Sequence, residues 1–289
     1  MGNVLFTGVC TALVTPFVDG QVNFAMLDKL IQRQIHAEIS AVVLGGTTGE
    51  SATLSDKEKL ELFRRGKAFA QSKLKVICGT GSNDTVHAVE LSCAAQECGA
   101  DALLVVAPYY NKGNFDGQMA HYIAIAQAVD IPVILYNVPG RTGVDLSVAL
   151  YQQLSNIPNI IGVKEASTDI VKISRIRAAC GPNFSIWSGN DDMAVAAIAL
   201  GAQGVISVLS NILPLQTQAM AQAALAGKME NASDMQARLL PLINALFREV
   251  NPIPIKAALK LLGYDCGPCR LPLGSCTAET VQQLQNLIQ

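Results

Sequence analysis

Short, uninterrupted apolar runs recur along this chain, alternating with segments of helical period. The runs are Val9–Leu13, Ala41–Gly46, Lys75–Thr80, Ala102–Pro108, Pro132–Val138, Ile160–Ala166, Phe184–Gly189 and Gly204–Val208. After the first comes Ala25–Ala37, where Leu27, Leu30, Ile31 and Ile35 form an apolar stripe. A second helix opens at Ser55–Glu58, which reads as a capping box, and continues to about Gln71. Further helices are expected at Thr85–Cys98, Gly117–Val129, Ser147–Leu154, Ile170–Ala179, Met193–Leu200 and Pro214–Ala226. Continuous apolar strands are buried on both faces, as parallel strands covered by helices are. Eight strand–helix units predict an α/β fold, a (β/α)8 TIM barrel. The alternative is a doubly wound open sheet. Against it, no GxGxxG follows an early strand and no GxxxxGK[ST] occurs.

Beyond Lys228 the pattern turns purely helical: Ala232–Val250, a helix opened by the NPIPIK run at Asn251–Lys256, and Ala278–Gln289. The expected division is therefore a catalytic barrel over 1–227 and a C-terminal helical extension over 228–289 packed against it. A separate small domain is the alternative, for which the segment is short.

Composition narrows the function. Half of the 289 residues are hydrophobic, 15% are charged, and the net charge is −2. That suits one large core. Without a basic block interleaved with aromatics, nucleic acid is not an expected partner. No apolar run is long enough to span a bilayer, and the N-terminus lacks a basic leader. Gly2 invites a myristoylation reading that Phe6, where Ser or Thr is required, disfavours. A cytoplasmic protein without membrane association is expected. The eight cysteines are not expected to form disulfides in such a chain. Cys266-Gly-Pro-Cys269, followed by Cys276, is the one local pattern. No second CxxC or histidine pair completes a zinc site, so no metal is expected and the role of these thiols stays open.

In such barrels chemistry sits at the C-terminal strand ends. Those ends carry Thr47-Thr48 in a GGTTGES loop, Tyr109-Tyr110, Tyr136, Arg141, Lys164-Glu165 and Gly189-Asn190-Asp191-Asp192. His36, His87 and His121 fall in predicted helices, away from that mouth. Lys164 ends an apolar run, where burial disfavours an ammonium and favours a nucleophilic amine. Taken alone, it is better explained by solvation or by pairing with Glu165. The glycine-rich loop suits a small carboxylate, or is simply a tight turn. Tyr136 could act as acid or base toward a bound carbonyl, or be a buried structural phenol. Arg141, behind Pro139, suits a second carboxylate, or forms a surface salt bridge. Together these residues suggest amine-based carbonyl chemistry without a metal.

Seven motifs in order extend the picture: GTTGESATL at Gly46–Leu54, GTGSN at Gly79–Asn83, PYYNK at Pro108–Lys112, YNVPGRTG at Tyr136–Gly143, GVKEA at Gly162–Ala166, GVISV at Gly204–Val208 and NPIPIK. With them the chain resembles the dihydrodipicolinate synthase family, within the pyruvate-dependent class I aldolase and N-acetylneuraminate lyase superfamily, over nearly its whole length. The resemblance implies a lyase that condenses pyruvate with L-aspartate 4-semialdehyde, the first committed step of lysine (diaminopimelate) biosynthesis. It implies a Schiff base on Lys164 and no cofactor. Tyr136, Thr47 and Tyr110 would relay protons. Thr48 and loop amides would hold the pyruvate carboxylate near Gly189 and Ile206, and Arg141 the carboxylate of the aldehyde. Tyr110 would cross a tight-dimer interface, which implies a homo-oligomer of at least two copies and commonly a tetramer.

In lysine-inhibited relatives a feedback site uses the positions of Ser51, Ala52, Asp56, Lys59, Asn83, His87 and Tyr109. Those relatives carry imidazoles at the positions of Asp56 and Lys59 and a carboxylate at that of His87, so cationic lysine is expected to bind poorly here. Gly140 and Asn190 are milder departures. The alternative activity is an N-acetylneuraminate or 2-keto-3-deoxy sugar acid lyase, disfavoured by Arg141 and the paired threonines. A non-catalytic barrel is disfavoured by the intact lysine, tyrosines and arginine.

Overall fold

Strict alternation within each apolar run sorts its side chains onto two surfaces. One set, including Cys10, Val43, Ile77, Leu104, Ile134, Tyr136, Trp187 and Ile206, packs together inside a barrel. The intervening set, including Val9, Val42, Val76, Leu103, Leu135, Val163, Ile186 and Val205, packs against the surrounding helices. The computed structural model describes residues 4–288. Its strands are β1 (Gly8–Ala12), β2 (Phe17–Val18), β3 (Gln21–Val22), β4 (Ala41–Leu44), β5 (Lys75–Gly79), β6 (Ala102–Val106), β7 (Val133–Asn137), β8 (Ile160–Glu165), β9 (Ser185–Ser188) and β10 (Gly204–Ser207). All but β2 and β3 form one closed barrel of parallel strands, in the order β1-β10-β9-β8-β7-β6-β5-β4. The (β/α)8 barrel is thus present.

The helices are α1 (Phe24–His36), α2 (Asp56–Ala70), α3 (Thr85–Glu97), α4 (Phe115–Ala128), α5 (Pro139–Thr142), α6 (Val148–Leu154), α7 (Val171–Cys180), α8 (Ala194–Ala199), α9 (Pro214–Leu225), α10 (Met229–Leu246), α11 (Ile253–Leu261) and α12 (Ala278–Ile288). The capping box at α2 forms as expected. Ser55 Oγ accepts from the Glu58 amide at 3.3 Å, and the Ser55 amide donates to Glu58 Oε2 at 2.9 Å.

Three features escaped the pattern. The β2–β3 hairpin follows the first strand. Arg141 rides on the one-turn helix α5, started by Pro139, which was not among the expected helices. The C-terminal helices α10 to α12 pack on α8, α9 and each other, but their connections also reach the barrel mouth. The opposite end is plugged. Phe6 stacks on Trp187 at 4.8 Å, and the Trp187 indole donates to the Phe6 carbonyl at 3.3 Å. Among the described residues no helix is long and apolar enough to cross a membrane. The eight cysteines are free thiols. Gly2 and Gln289 lie outside the described residues.

Candidate active site

Val163 and Glu165 point out of the barrel, so alternation turns Lys164 inward. Register places it beside Tyr136 on β7, and its Nζ lies 4.3 Å from the centre of the tyrosine ring. Lys164 is 5% exposed. Among the described residues Lys59, Lys172 and Lys256 are also buried lysines, and each has a carboxylate within salt-bridge distance. Lys164 has none. Its neighbour Glu165 is committed elsewhere. It accepts from Asn137 Nδ2 at 2.9 and 3.1 Å, Tyr151 Oη at 3.0 Å and the Ser167 amide at 2.8 Å, with Lys172 Nζ at 3.5 Å. Gly189, at the end of β9, closes on the lysine stem. A Cβ there would stand 3.1 Å from Lys164 Cε and 2.5 Å from Ala166 Cβ, so only glycine leaves the amine its space. Ile206 belongs to the same interior cluster as Tyr136.

The loop after β4 forms the second side of the site. Thr47 faces a cavity of about 790 Å³ that Tyr136 and Arg141 also line. Thr48 is buried, and its Oγ1 accepts from Asn251 Nδ2 at 2.9 Å. The Asn251 carbonyl accepts from Arg141 Nη2 at 2.9 Å. One asparagine from the C-terminal segment therefore ties Thr48 to Arg141. Thr15 Oγ1 donates to the Gly49 carbonyl from below at 2.7 Å.

The cavity continues past Ser51, Ala52 and Asn83 to Asp56, Lys59, His87 and Tyr109. His87 is helical, as expected, but the expectation that no histidine reaches the site region needs correction, because its ring lines the far end of this cavity. It lies 2.9 Å from Asp56 Oδ2 through Nε2 and 3.2 Å from Ser82 Oγ through Nδ1. Lys59 Nζ donates to Asp56 Oδ1 at 3.4 Å. Burial raises the Asp56 carboxyl, but the His87 and Lys59 contacts outweigh it and hold the group below the ordinary carboxylate range. Tyr110 is placed apart from the other candidates. It is 88% exposed, with φ +72°, on the outer rim.

Asp191 and the Asn251–Lys256 run were noted in the sequence without a role for any one residue, and Arg270 was not noted at all. A lysine inside the apolar PIPIKAAL run was the available signal for Lys256. Asp191 is buried, and burial pushes its carboxyl upward. Its Oδ2 accepts the Val208 and Leu209 amides at 2.9 and 3.0 Å, fixing the turn that follows β10 and Ile206. The C-terminal thiols are pushed up by burial, Cys266 to about 12 and Cys269 and Cys276 to about 11. They are therefore protonated and weakly nucleophilic near neutrality. Among the described residues no cluster of three or more His, Cys, Asp or Glu could hold a metal ion.

An eight-stranded barrel with a lysine free of carboxylates beside an inward tyrosine suits the chemistry of the class I aldolase-type lyases, and the chain is one of them. Within that class the chain belongs to the dihydrodipicolinate synthetase family, whose model matches residues 5–289. It is 44% identical over 289 residues to the 4-hydroxy-tetrahydrodipicolinate synthase of Acetivibrio thermocellus, covering 100% of this chain and 98% of that protein. The Exiguobacterium protein of the same name is 47% identical over 278 residues, covering 95% of each. The dihydrodipicolinate synthase structure from Cyanidioschyzon merolae, with lysine bound, superposes with a TM-score of 0.96 at 42% identity, covering 98% of this chain and 97% of that one. The Aquifex aeolicus structure gives 0.97 at 40% identity, covering 98% of this chain and 97% of that one.

Proposed function

We propose that the chain condenses pyruvate with L-aspartate 4-semialdehyde, the 4-hydroxy-tetrahydrodipicolinate synthase reaction that commits material to diaminopimelate and lysine. The observation that carries this reading is Lys164, buried against Tyr136 without the carboxylate partner that the other buried lysines have. Its amine attacks the C2 carbonyl of pyruvate and water leaves, giving an iminium. That cation is the electron sink a keto acid lacks, so a C3 proton departs and an enamine forms without any cofactor. The enamine carbon attacks the aldehyde, and the new alkoxide takes a proton. The substrate's own amino group then adds to C2, closes the ring and expels the lysine amine.

Tyr136, 4.3 Å from Nζ to ring centre, is the group proposed to move these protons, with Thr47 on the same cavity wall and Tyr110 supplied by a second copy. The exposure of Tyr110 supports that role in a dimer, with a tetramer of two such dimers as the fuller assembly. Thr48 and the adjoining loop amides would hold the pyruvate carboxylate. Arg141, fixed by Asn251, would hold that of the aldehyde. Gly189 leaves room for the iminium, and Ile206 supplies an apolar wall. A cytoplasmic setting belongs to the same reading.

Reduction with borohydride in the presence of pyruvate, followed by mass mapping, should place a pyruvyl adduct on Lys164. Its absence would sink the covalent mechanism. Pyruvate turnover with aspartate semialdehyde should far exceed that with mannosamine-type aldehydes, which separates the synthase from a sugar-acid lyase. At the far end of the cavity, Asp56 is already bridged by His87 and Lys59, and the Lys59 ammonium opposes a cationic ligand. Feedback by lysine is therefore proposed to be weak or absent. Potent inhibition at low lysine concentration would overturn that.

A further inference from the structure

The loop that would hold pyruvate is gripped by charged groups from the far end of the chain. Glu50 follows Thr47-Thr48-Gly49 with φ +57°, a left-handed conformation uncommon for a residue other than glycine. Its side chain is fully buried and meets Lys256 Nζ at 2.6 Å through Oε1. Its Oε2 accepts from the Arg270 amide at 2.8 Å. Lys256 in turn donates to the Pro268 carbonyl at 3.3 Å, so one ammonium joins α11, the segment 265–277 and the loop.

The Arg270 guanidinium donates to the Thr53 carbonyl at 2.9 Å and to the Gly20 carbonyl at 2.7 Å. It also forks onto both Glu58 oxygens at 3.0 and 2.5 Å. Both cations lie over the ring of Phe17, at 4.2 and 4.3 Å from its centre. The clamp thus holds the loop at Glu50 and again at Thr53 and Glu58, while Asn251 holds Thr48 between them and the lysine pocket.

From this we infer that Lys256 and Glu50 are positioning residues for the keto-acid carboxylate. Their buried ion pair sets the left-handed turn at Glu50, and that turn aims the Thr47 and Thr48 hydroxyls and amides at the space beside Lys164. Neither group touches substrate. Their effect is on how well the loop is preorganised for an anion, and it rests on the assignment of pyruvate to this loop.

The distinguishing measurement is the pyruvate concentration that half-saturates borohydride trapping on Lys164, taken with the two KM values and the melting temperature. Wild type must first give the adduct, and its failure to do so would count against the function rather than the clamp. For Lys256→Met the half-saturating pyruvate is expected to rise about tenfold or more, with KM for the aldehyde and kcat at saturating pyruvate within about threefold of wild type. Lys256→Arg should recover much of the loss. Glu50→Gln keeps the volume and the contact with the Arg270 amide, and it should shift pyruvate saturation in the same direction even if Lys256→Met does not fold. A merely structural staple would lower the melting temperature and the folded fraction while leaving pyruvate saturation of the folded enzyme unchanged. That result, in whichever variants fold, overturns the inference.

Discussion

Lys164 and Glu165 are adjacent in sequence but face opposite sides of β8, and their environments assign them different work. The lysine lies in the barrel against a phenol. The glutamate sits behind the strand, where Asn137, Tyr151, Ser167 and Lys172 satisfy it. Tyr136→Phe keeps the ring beside the amine but removes the hydroxyl proposed to move protons. It is expected to lower kcat by about 10²–10⁴-fold, with the pyruvyl adduct still trapped, more slowly, and the melting temperature unchanged. Glu165→Ala should do the reverse. It leaves the Tyr151 hydroxyl and the Ser167 amide without their acceptor, while Lys172 and Asn137 keep Asp145, and is expected to cost about 1–3 kcal/mol in urea unfolding, while the folded fraction still forms the adduct. The identity of Lys164 as the odd residue was legible in the sequence, because a charge at the end of an apolar run is conspicuous. What Glu165 does was not, since its partners Asn137 and Tyr151 come from a neighbouring strand and the helix covering it.

At the level of elements, the strands and most helices could be read from the chain, because continuous apolar runs and the capping box at Ser55 are local signals. The β2–β3 hairpin was too short to leave a period. The turn of helix at Arg141 was hidden by the Pro-Gly pair that introduces it. Least legible was the grip of the C-terminal segment on the loop after β4, since a sequence does not say which glutamate a distant lysine will choose. That grip has a pH signature. The Arg270 hydrogen bonds are the main cause holding the Glu58 carboxyl at about 2, against an ordinary 4.5. The folded form therefore binds its proton at lower pH than the unfolded form. The stabilisation is complete above about pH 4.5 and is lost as pH falls toward 2. The stability difference between wild type and Arg270→Ala, followed by urea unfolding, should be on the order of 1–3 kcal/mol at pH 7 and shrink across that interval. A difference that stays constant with pH would contradict the assignment.

For the molecule as a whole, the exposed Tyr110 is the residue most at odds with a self-sufficient chain. If it completes a neighbour's site, two inactive variants should repair one another. Lys164→Ala retains Tyr110, and Tyr110→Ala retains Lys164, so a mixed dimer holds one complete site. Unfolding and refolding the two together in equal amounts should restore about one quarter of wild-type activity. Activity no greater than the sum of the separate variants would show that Tyr110 acts within its own chain or not at all. Sedimentation of wild type should show at least a dimer.

The plug at the bottom of the barrel has a consequence for traffic. With Phe6 stacked on Trp187 at one end of the barrel, traffic to Lys164 is expected to pass through the other, so that visitors form a queue. On the function proposed above, the keto acid is expected to go in first, because an aldehyde held near Arg141 would stand in its way. On that reading the order of events would follow from architecture as much as from chemistry, since the later partner waits between the earlier one and the exit.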